Sequence, residues 1–352
     1  MASFLARAIV FTQPGEIELR ELALGPCGPT ELVVKTHYTM VSTGTELRVL
    51  AGHYGAEGKF PLIPGYSVVG EVISVGPEAS GFRVGDLVSC RNPRSIPGIH
   101  SQWGGQASHH VYSTTGEDRP VLLPNRARTL DYSIAEISAI SFRGVEAAAA
   151  SAGETALVIG QGLIGAFSAA WLKSRGCRVF VTDVEAGRLE RALVRGVSAA
   201  VNGRDADAEN RMRVLLNGGA DIVVESSGTK AGAMLAYSML RKKPQAYGKE
   251  YKVEPIGFYR GDWPRLIMQA NYLESVTINP FGFVAGEGMI VLAPKDRGVE
   301  DRQKAIEAIR TGEISAADFV SKPVPATDAP QAYKTLRDDK NNSFSLVFDW
   351  AK

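Results

Sequence analysis

Residues 155–165, TALVIGQGLIG, constrain the fold more than any other stretch of the chain. An apolar run of strand length leads directly into a glycine-rich loop, and a helical pattern follows over about 163–175. RVFVT at 178–182 and DIVVE at 221–225 are continuous apolar runs, and a helix over about 186–195 is predicted between them. Strands without polar alternation are covered by helices on both faces, so this part of the chain predicts an α/β doubly wound parallel sheet.

The glycines of this loop have the GxGxxG spacing that suits a dinucleotide. Gly160 allows a sharp turn, Gly162 allows a diphosphate to approach the backbone, and Gly165 allows the helix to pack close to the strand. The N-terminus of that helix offers free N–H groups to phosphate. Asp183, at the end of the next strand, can accept hydrogen bonds from ribose hydroxyls and would repel a 2′-phosphate, which favours NAD(H) over NADP(H). Arg188 could neutralise a phosphate and weakens this preference.

The cofactor contacts predicted in this region are Gly160, Gln161, Gly162, Leu163, Ile164, Asp183 and Arg188.

Composition excludes several other classes of protein. The 352 residues are 45% hydrophobic and 22% charged with a net charge of +1, so neither nucleic acid nor an anionic membrane is indicated as a partner. No 18-residue apolar run and no signal-peptide core are present, and we expect a cytoplasmic protein. The three cysteines are far apart and predict neither a disulfide framework nor a thiolate metal site.

The N-terminal part of the chain is predicted to be rich in β-structure. Residues 6–24 and 31–40 alternate like half-buried strands, and 60–90 carries short Val/Ile runs divided by Gly and Pro. Residues 91–105 are predicted to form a surface loop, and 134–152 are predicted to be helical.

Further strands are predicted beyond the glycine loop, at 252–258 and 275–279, with a polar loop at 241–251 before them. A helix near 328–337 and a strand within 343–350 are predicted to end the chain.

Several motifs in order along the chain resemble the medium-chain dehydrogenase/reductase superfamily. They are TGTELRVLAGHY (43–54), FPLIPGYSVVGEVISVGP (60–77), GFRVGDLV (81–88), the GQGLIG loop, ADIVVESSG (220–228) and DAPQAYKTL (328–336). The resemblance implies a GroES-like β-barrel catalytic domain over 1–140 and 300–352, a Rossmann NAD-binding domain over 141–299, and an active site in the cleft between them. It also implies that the chain forms a homodimer or homotetramer. Subunits of such proteins commonly associate through the edge of the dinucleotide-binding sheet, and residues 275–284 are the candidate edge here.

The zinc-binding members of this superfamily carry ligands that this sequence lacks. Their first motif, Cys-Gly-Thr-Asp, corresponds to residues 43–46, beginning with Thr43. Their histidine ligand corresponds to Tyr66, and a third ligand falls near Glu136. Their four-cysteine structural lobe keeps only Cys90. Because a catalytic zinc needs about three good protein ligands, we predict that no metal is bound.

Another group must then polarise the substrate oxygen during hydride transfer. Tyr66 is the proposed acid/base or hydrogen-bond donor, helped by Thr45, although Tyr66 could instead only fill the volume left by zinc. A phenol titrates near pH 10 unless perturbed, and an oxidised nicotinamide or another cation would favour its ionised form. Glu46 is expected to orient its neighbours or pair with an arginine, and Glu136 is considered as a general base.

Other cofactor contacts follow from family position. Thr43 is placed at the cofactor, Ser226 and Ser227 at its adenosine side, and Gly257, Phe258 and Tyr259 near the nicotinamide.

Among the zinc-less branches, the sequence is similar to the hydroxyethyl-bacteriochlorophyllide dehydrogenase type in STGTE (42–46), PLIPGYSVVG (61–70), GFYRG (257–261) and VFDW (347–350). This likeness implies NAD-dependent oxidation of a secondary alcohol to a ketone, with sugars and cyclitols also open as substrates. Two alternatives remain: an NAD(P)H-dependent reductase of quinone- or enoyl-type double bonds, and a catalytically silent NAD-binding protein.

Overall fold

The computed structural model describes residues 4–124, 126–241, 263–277 and 288–352. The chain divides into two units: the first comprises Met1–Ile140 and Asp296–Lys352, and the second comprises Ser141–Lys295. No helix within the described ranges is both long enough and apolar enough to cross a bilayer.

The strands are β1 Leu5–Gln13, β2 Glu16–Ala23, β3 Glu31–Met40, β4 Leu62–Ile63, β5 Ser67–Val75, β6 Leu87–Cys90, β7 His100–Ser101, β8 His109–Ser113, β9 Val121–Leu122, β10 Thr155–Ile159, β11 Arg178–Asp183, β12 Ala199–Asn202, β13 Ile222–Glu225, β14 Arg265–Met268, β15 Ile290–Leu292, β16 Val324–Pro325 and β17 Val347–Asp349. The α-helices of the described ranges are α1 Thr43–Leu50, α2 Ala135–Ala147, α3 Leu163–Ser174, α4 Ala186–Val194, α5 Ala208–Leu215, α6 Lys230–Ser238, α7 Val299–Thr311 and α8 Ala329–Asp338.

The second unit is built on one parallel sheet with the strand order β12-β11-β10-β13-β14-β15. In chain order this is 3-2-1-4-5-6, the Rossmann arrangement, which confirms the fold class predicted for this part of the chain. The central strands are buried along their whole length, since helices cover both faces. The order reverses between β10 and β13, so a crevice opens at the carboxyl ends of these two strands.

The flanks of this sheet differ from the sequence prediction. Strand β12 and helix α5 were not predicted, because AAVN has small, mostly half-buried side chains and lacks a long apolar run. The strand beside β13 is Arg265–Met268, whereas the predicted strand at 252–258 lies outside the described residues. The predicted strand at 275–279 is not formed over 275–277, and its last two residues also lie outside the described ranges.

The first unit is built on mainly antiparallel sheets, in which only the short pairs β4–β7 and β16–β17 of the described residues are parallel. β1 and β2 form a hairpin, and β3 pairs with β5, β8 and β17. The pairing of β17 with β3 brings the C-terminus back to the N-terminal sheet, where Trp350 and Tyr333 join the buried cluster around Phe11.

Two predictions for this unit were incomplete. Residues 91–105 include the short strand β7, and both Arg91 and Ile96 are buried, so the segment is more than a surface loop. Helix α7 was not predicted, and its buried face includes Arg302, which is fully inaccessible to solvent.

Candidate active site and cofactor site

Tyr66 lies immediately before β5 and is half-buried. Its hydroxyl donates to Ser42 Oγ at 2.6 Å and also forms a hydrogen bond with the side chain of Thr45. Ser42 and Thr45 belong to the start of α1, so the first turn of one helix holds the phenol. Gly65 has a φ of +85°, and a Cβ there would come within 2.6 Å of Gln106, so the chain before Tyr66 requires glycine.

The surroundings of Tyr66 keep its phenol protonated. Burial raises the pKa of Tyr66 well above its ordinary range. The hydrogen bonds that its hydroxyl forms with Ser42 and Thr45 oppose this rise, and the negative charges of Glu46 and Glu136 add to it. A nearby cation was expected to favour the ionised form of Tyr66, whereas burial and these carboxylates act in the opposite direction. At neutral pH the group is therefore a proton donor.

Trp103 adjoins Tyr66, and Tyr54 in turn adjoins Trp103. Trp103 meets Tyr66 edge-on with ring centroids 5.4 Å apart, and Tyr54 lies 5.7 Å from Trp103. Tyr54 and Trp103 have φ values of +62° and +70°, which non-glycine residues rarely adopt. Strained residues of this kind are concentrated at binding sites, so these two rings are candidate walls of a substrate pocket.

Glu46, on α1, is fully buried and accepts hydrogen bonds from three donor groups. The donors are the Ser42 backbone N–H at 2.8 Å, the Tyr333 hydroxyl at 2.5 Å and Gln106 Nε2 at 3.1 Å. Burial raises the pKa of Glu46 to about 7, although these donors oppose the rise. Glu46 therefore holds the Ser42 backbone in place, and the three hydrogen-bond partners of its carboxylate are neutral groups rather than an arginine.

Gln106 extends this hydrogen-bond network toward the C-terminus. Its Oε1 accepts from Thr39 Oγ1 at 2.6 Å, and Thr39 Oγ1 in turn accepts from Trp350 Nε1 at 2.9 Å. Sequence patterns alone did not predict Ser42, Gln106 or Tyr333 as site residues, because these residues meet only in the folded chain.

Glu136, at the start of α2, is enclosed by arginines. Arg91 Nη1 donates to Glu136 Oε1 at 2.8 Å, and Arg302 Nε lies 3.5 Å from Glu136 Oε2. Arg91 also pairs with Asp118 at 2.5 Å and with Asp296. Burial raises the pKa of the Glu136 carboxyl, although the charges of Arg302 and Arg91 oppose the rise. Both of its oxygens face guanidinium groups rather than open space, so this arrangement argues against the general-base role considered for Glu136.

The residues at the positions of the superfamily's zinc ligands do not fit a catalytic zinc. Tyr66 is a protonated phenol bonded to Ser42, Glu136 is bound to two cations, and Thr43 offers only a hydroxyl. Zinc prefers thiolate, imidazole and free carboxylate ligands. Across the residues that the structure describes, no group of three or more His, Cys, Asp or Glu side chains is arranged to hold a metal ion.

In the second unit, the glycine loop has the conformation that a dinucleotide requires. Gly160 has a φ of +87°, and a Cβ there would lie 2.8 Å from the Ser227 backbone N. A Cβ at Gly165 would overlap the carbonyl oxygen of Gly160, whereas a Cβ at Gly162 would meet no protein atom within 4 Å. Space is therefore left at Gly162, at the N-terminus of α3, where a diphosphate can approach the backbone.

Asp183 lies at the carboxyl end of β11, beside this loop. Its carboxylate accepts from the backbone N–H groups of Gln161 at 2.5 Å and Glu185 at 2.9 Å. Arg188 Nη1 lies 3.6 Å from Asp183 Oδ2. The Asp183 carboxylate is thus held at the loop. Arg188 lies beside it and could reduce its electrostatic repulsion of a 2′-phosphate.

Ser226 and Ser227 follow β13 and lie beside the glycine loop. Ser226 Oγ donates to the carbonyl oxygens of Ile159 at 2.8 Å and Gly160 at 2.9 Å, while the Ser227 hydroxyl donates to Glu225. Leu163 is buried and Ile164 half-buried at the start of α3. Gly257, Phe258 and Tyr259 lie outside the described residues, so their predicted place near the nicotinamide stays a prediction.

Comparisons with known proteins match a family profile to part of each unit. A profile described as "Alcohol dehydrogenase GroES-like domain" matches residues 28–118, and one described as "Zinc-binding dehydrogenase" matches residues 164–246. An alcohol dehydrogenase of Cupriavidus necator is 25% identical over 381 residues, covering 97% of this chain and 98% of that protein.

An L-threonine 3-dehydrogenase of Proteus mirabilis is 30% identical over 236 residues, covering 61% of this chain and 68% of its own length. Among solved structures, an alcohol dehydrogenase from Escherichia coli complexed with NADH has a TM-score of 0.81 at 15% identity and covers 98% of this chain and 99% of its own. The predicted fold class, a GroES-like domain with a Rossmann domain, is confirmed, and the chain belongs to the medium-chain dehydrogenase/reductase superfamily of oxidoreductases.

Proposed function

We propose that this chain is an NAD(H)-dependent oxidoreductase that interconverts a secondary alcohol and a ketone without a catalytic zinc. Its substrate would be a sugar, a cyclitol or a compound with a hydroxyethyl-type group. One observation carries the proposal: at the position of a metal ligand stands the phenol of Tyr66, held as a donor by Ser42 and Thr45.

The cofactor preference rests on the second unit. The open space at Gly162 suits a diphosphate, and the Asp183 carboxylate suits the two hydroxyls of an unphosphorylated ribose. Arg188 reduces the repulsion of a 2′-phosphate without replacing the carboxylate, so we expect NAD(H) to bind more tightly than NADP(H), with a modest ratio between them.

In the reaction, a bound nicotinamide supplies or accepts the hydride. In the direction of reduction, the carbonyl carbon gains the hydride, and the carbonyl oxygen takes the proton of the Tyr66 hydroxyl. Ser42 and Thr45 stabilise the phenolate that results, because both hydroxyls can donate to it. In the direction of oxidation, Tyr66 must first lose its proton, which the positive charge of an oxidised nicotinamide would favour, and its phenolate would then accept the alcohol proton.

The aromatic walls formed by Tyr54 and Trp103 would contact the carbon skeleton of the substrate. Rings next to the reacting oxygen bind an apolar face or the C–H bonds of a sugar ring. Replacing Trp103 by alanine should therefore raise KM more than it lowers kcat.

The experiment combines metal analysis with turnover. Protein purified without added metal is assayed for zinc, and NAD reduction is followed on a panel of secondary alcohols with and without a chelator. Full activity in the chelator at substoichiometric zinc is the expected result. Loss of activity on chelation, with recovery on zinc addition, would refute the zinc-free mechanism.

Tyr66→Phe tests the donor, with Tyr112→Phe as the matched control. Tyr112 is a buried tyrosine of the same unit whose hydroxyl has no hydrogen-bond partner among the described residues. Tyr66→Phe should reduce kcat by about a hundredfold or more, and Tyr112→Phe should leave it unchanged. Full turnover in Tyr66→Phe would exclude the tyrosine mechanism. Reduction of activated double bonds with NADPH, or NAD(H) binding without any turnover, would favour the two alternative functions.

A further inference from the structure

Glu225, the last residue of β13, is a buried carboxylate at the carboxyl end of a strand in the parallel sheet. It is fully inaccessible to solvent and lies in register between Ile159 of β10 and Met268 of β14. Its Oε1 accepts from the Ser227 backbone N–H at 2.8 Å and from the Ser227 hydroxyl. Its Oε2 accepts from the Tyr272 hydroxyl and, at 3.3 Å, from the Gly228 backbone N–H.

Among the residues that the structure describes, the Glu225 oxygens face neutral hydrogen-bond donors. The four groups that face its oxygens are donors, as a carboxylate requires. All four are neutral, in contrast to the arginines that surround Glu136 in the first unit. Burial raises the pKa of Tyr272, and the hydrogen bond to Glu225 and its negative charge raise it further.

The carboxylate supports the turn on which the glycine loop rests. A Cβ at Gly160 would lie 2.8 Å from the backbone N of Ser227, so the two loops are in direct contact. A Cβ at Gly232, in the first turn of α6, would lie 2.6 Å from Glu225 Oε1, so the carboxylate also adjoins the start of that helix.

The sheet topology places Glu225 on one particular side of the crevice. Asp183, on β11, marks the adenosine side, and Gly162, after β10, marks the place of the diphosphate. A dinucleotide crosses the crevice at the switch point, which here lies between β10 and β13. The nicotinamide half would therefore extend over the carboxyl ends of β13 and β14, the side on which Glu225 lies.

We propose that the Glu225 carboxylate, whose partners among the described residues are neutral donors, makes this chain favour the oxidised, positively charged nicotinamide over the reduced form. This inference rests on the proposed cofactor. Glu225 would act through space and through the Ser227–Gly228 turn, so it is a positioning residue rather than a catalytic one. The two cofactor forms differ by one positive charge on the ring, and a buried charge at this edge of the sheet distinguishes between them.

The test measures dissociation constants of NAD+ and NADH separately, by calorimetric titration in the absence of substrate. For Glu225→Gln, the ratio Kd(NAD+)/Kd(NADH) should rise about fivefold or more, since the attraction for the ring charge is lost. Tyr272→Phe removes a donor and leaves the carboxylate charge less shielded, so the same ratio should fall. The control is Thr229→Ala, which removes the acceptor for the Gly232 N–H in the same turn without changing any charge; its ratio should equal that of the wild type.

An equal loss of affinity for both forms in Glu225→Gln would show a purely structural role and overturn the inference. An unchanged ratio in Tyr272→Phe would overturn it as well, and this variant carries the test if Glu225→Gln does not fold. If the wild-type chain binds neither form, the proposed function itself fails, and that result is distinguishable from an altered ratio.

Discussion

Replacing Glu46 by glutamine tests whether a buried carboxyl group in the first unit holds a proton near neutral pH. Burial raises the pKa of Glu46 to about 7 from an ordinary 4.5, although Tyr333, Ser42 and Gln106 all donate to it. Between these two pH values the unfolded chain has lost this proton while the folded chain keeps it. The stability that Glu46 contributes is therefore complete below pH 4.5 and is lost as the pH rises through 7.

The magnitude follows from the shift of the Glu46 pKa. A rise from 4.5 to about 7 is 2.5 units, and at 1.36 kcal/mol per unit it corresponds to about 3 kcal/mol of unfolding free energy. Because the side chain is fully buried, solvent does not screen this contribution. Glutamine resembles the protonated acid in shape and stays neutral, so Glu46→Gln should lack this part of the pH dependence.

Urea unfolding of both proteins at pH 5 and pH 8 measures the effect. The wild-type free energy minus that of Glu46→Gln should fall by about 2–3 kcal/mol between the two pH values. His110 and other groups titrate in both proteins and cancel in this difference. An equal difference at pH 5 and pH 8 would mean that Glu46 stays ionised and that the reasoning from burial is wrong.

Three other predictions concern particular packing and charge contacts. Gly162→Ala should leave thermal stability unchanged, because a Cβ there meets no protein atom, and should weaken NAD(H) binding in a titration. Gly165→Ala should lower the melting temperature, because its Cβ would overlap the Gly160 carbonyl oxygen. Arg302→Met should lower the urea-unfolding free energy by about 3–5 kcal/mol, since Glu136 loses one of its two buried cations. Burial lowers the pKa of His110 to about 3 from an ordinary 6.5. The contribution of neutral His110 to the unfolding free energy is therefore complete above pH 6.5 and is lost as the pH falls toward 3. His110→Gln should move the acid-unfolding midpoint to lower pH.

The second unit was predictable from sequence where local chemistry alone decides the structure. Continuous apolar runs and glycine spacing predicted β10, β11, β13 and the loop at 160–165, since these features act over a few residues. β12 was missed because its alanines are half-buried and give no periodic signal. Tyr272 was missed for another reason: it reaches Glu225 across 47 positions of sequence, and nothing local marks that pairing.

In the first unit, the sequence associated Thr45 with Tyr66 but did not mark Ser42, the other partner of the Tyr66 hydroxyl, or the partners of Glu46. Tyr333 contacts Glu46 across 287 positions, and only the return of the C-terminus to β3 brings them together. Arg302 does leave a local signal. It follows Val299 by three positions and precedes Ile306 by four, so it lies on the apolar face of α7, where an unpaired arginine would be costly.

Two of the buried carboxylates should act in opposite directions on the reaction at equilibrium. In the proposed mechanism, reduction of a ketone would end with a Tyr66 phenolate and an oxidised nicotinamide. The charge of Glu46 raises the pKa of Tyr66 and so opposes that state, whereas the proposed action of Glu225 favours it. At pH 8, where Glu46 is ionised, Glu46→Gln should shift the on-enzyme equilibrium toward alcohol, and Glu225→Gln should shift it toward ketone. Rapid-quench measurement with enzyme in excess over substrate gives this ratio directly. Shifts in the same direction would show that at least one of the two charges does not act on the reacting groups.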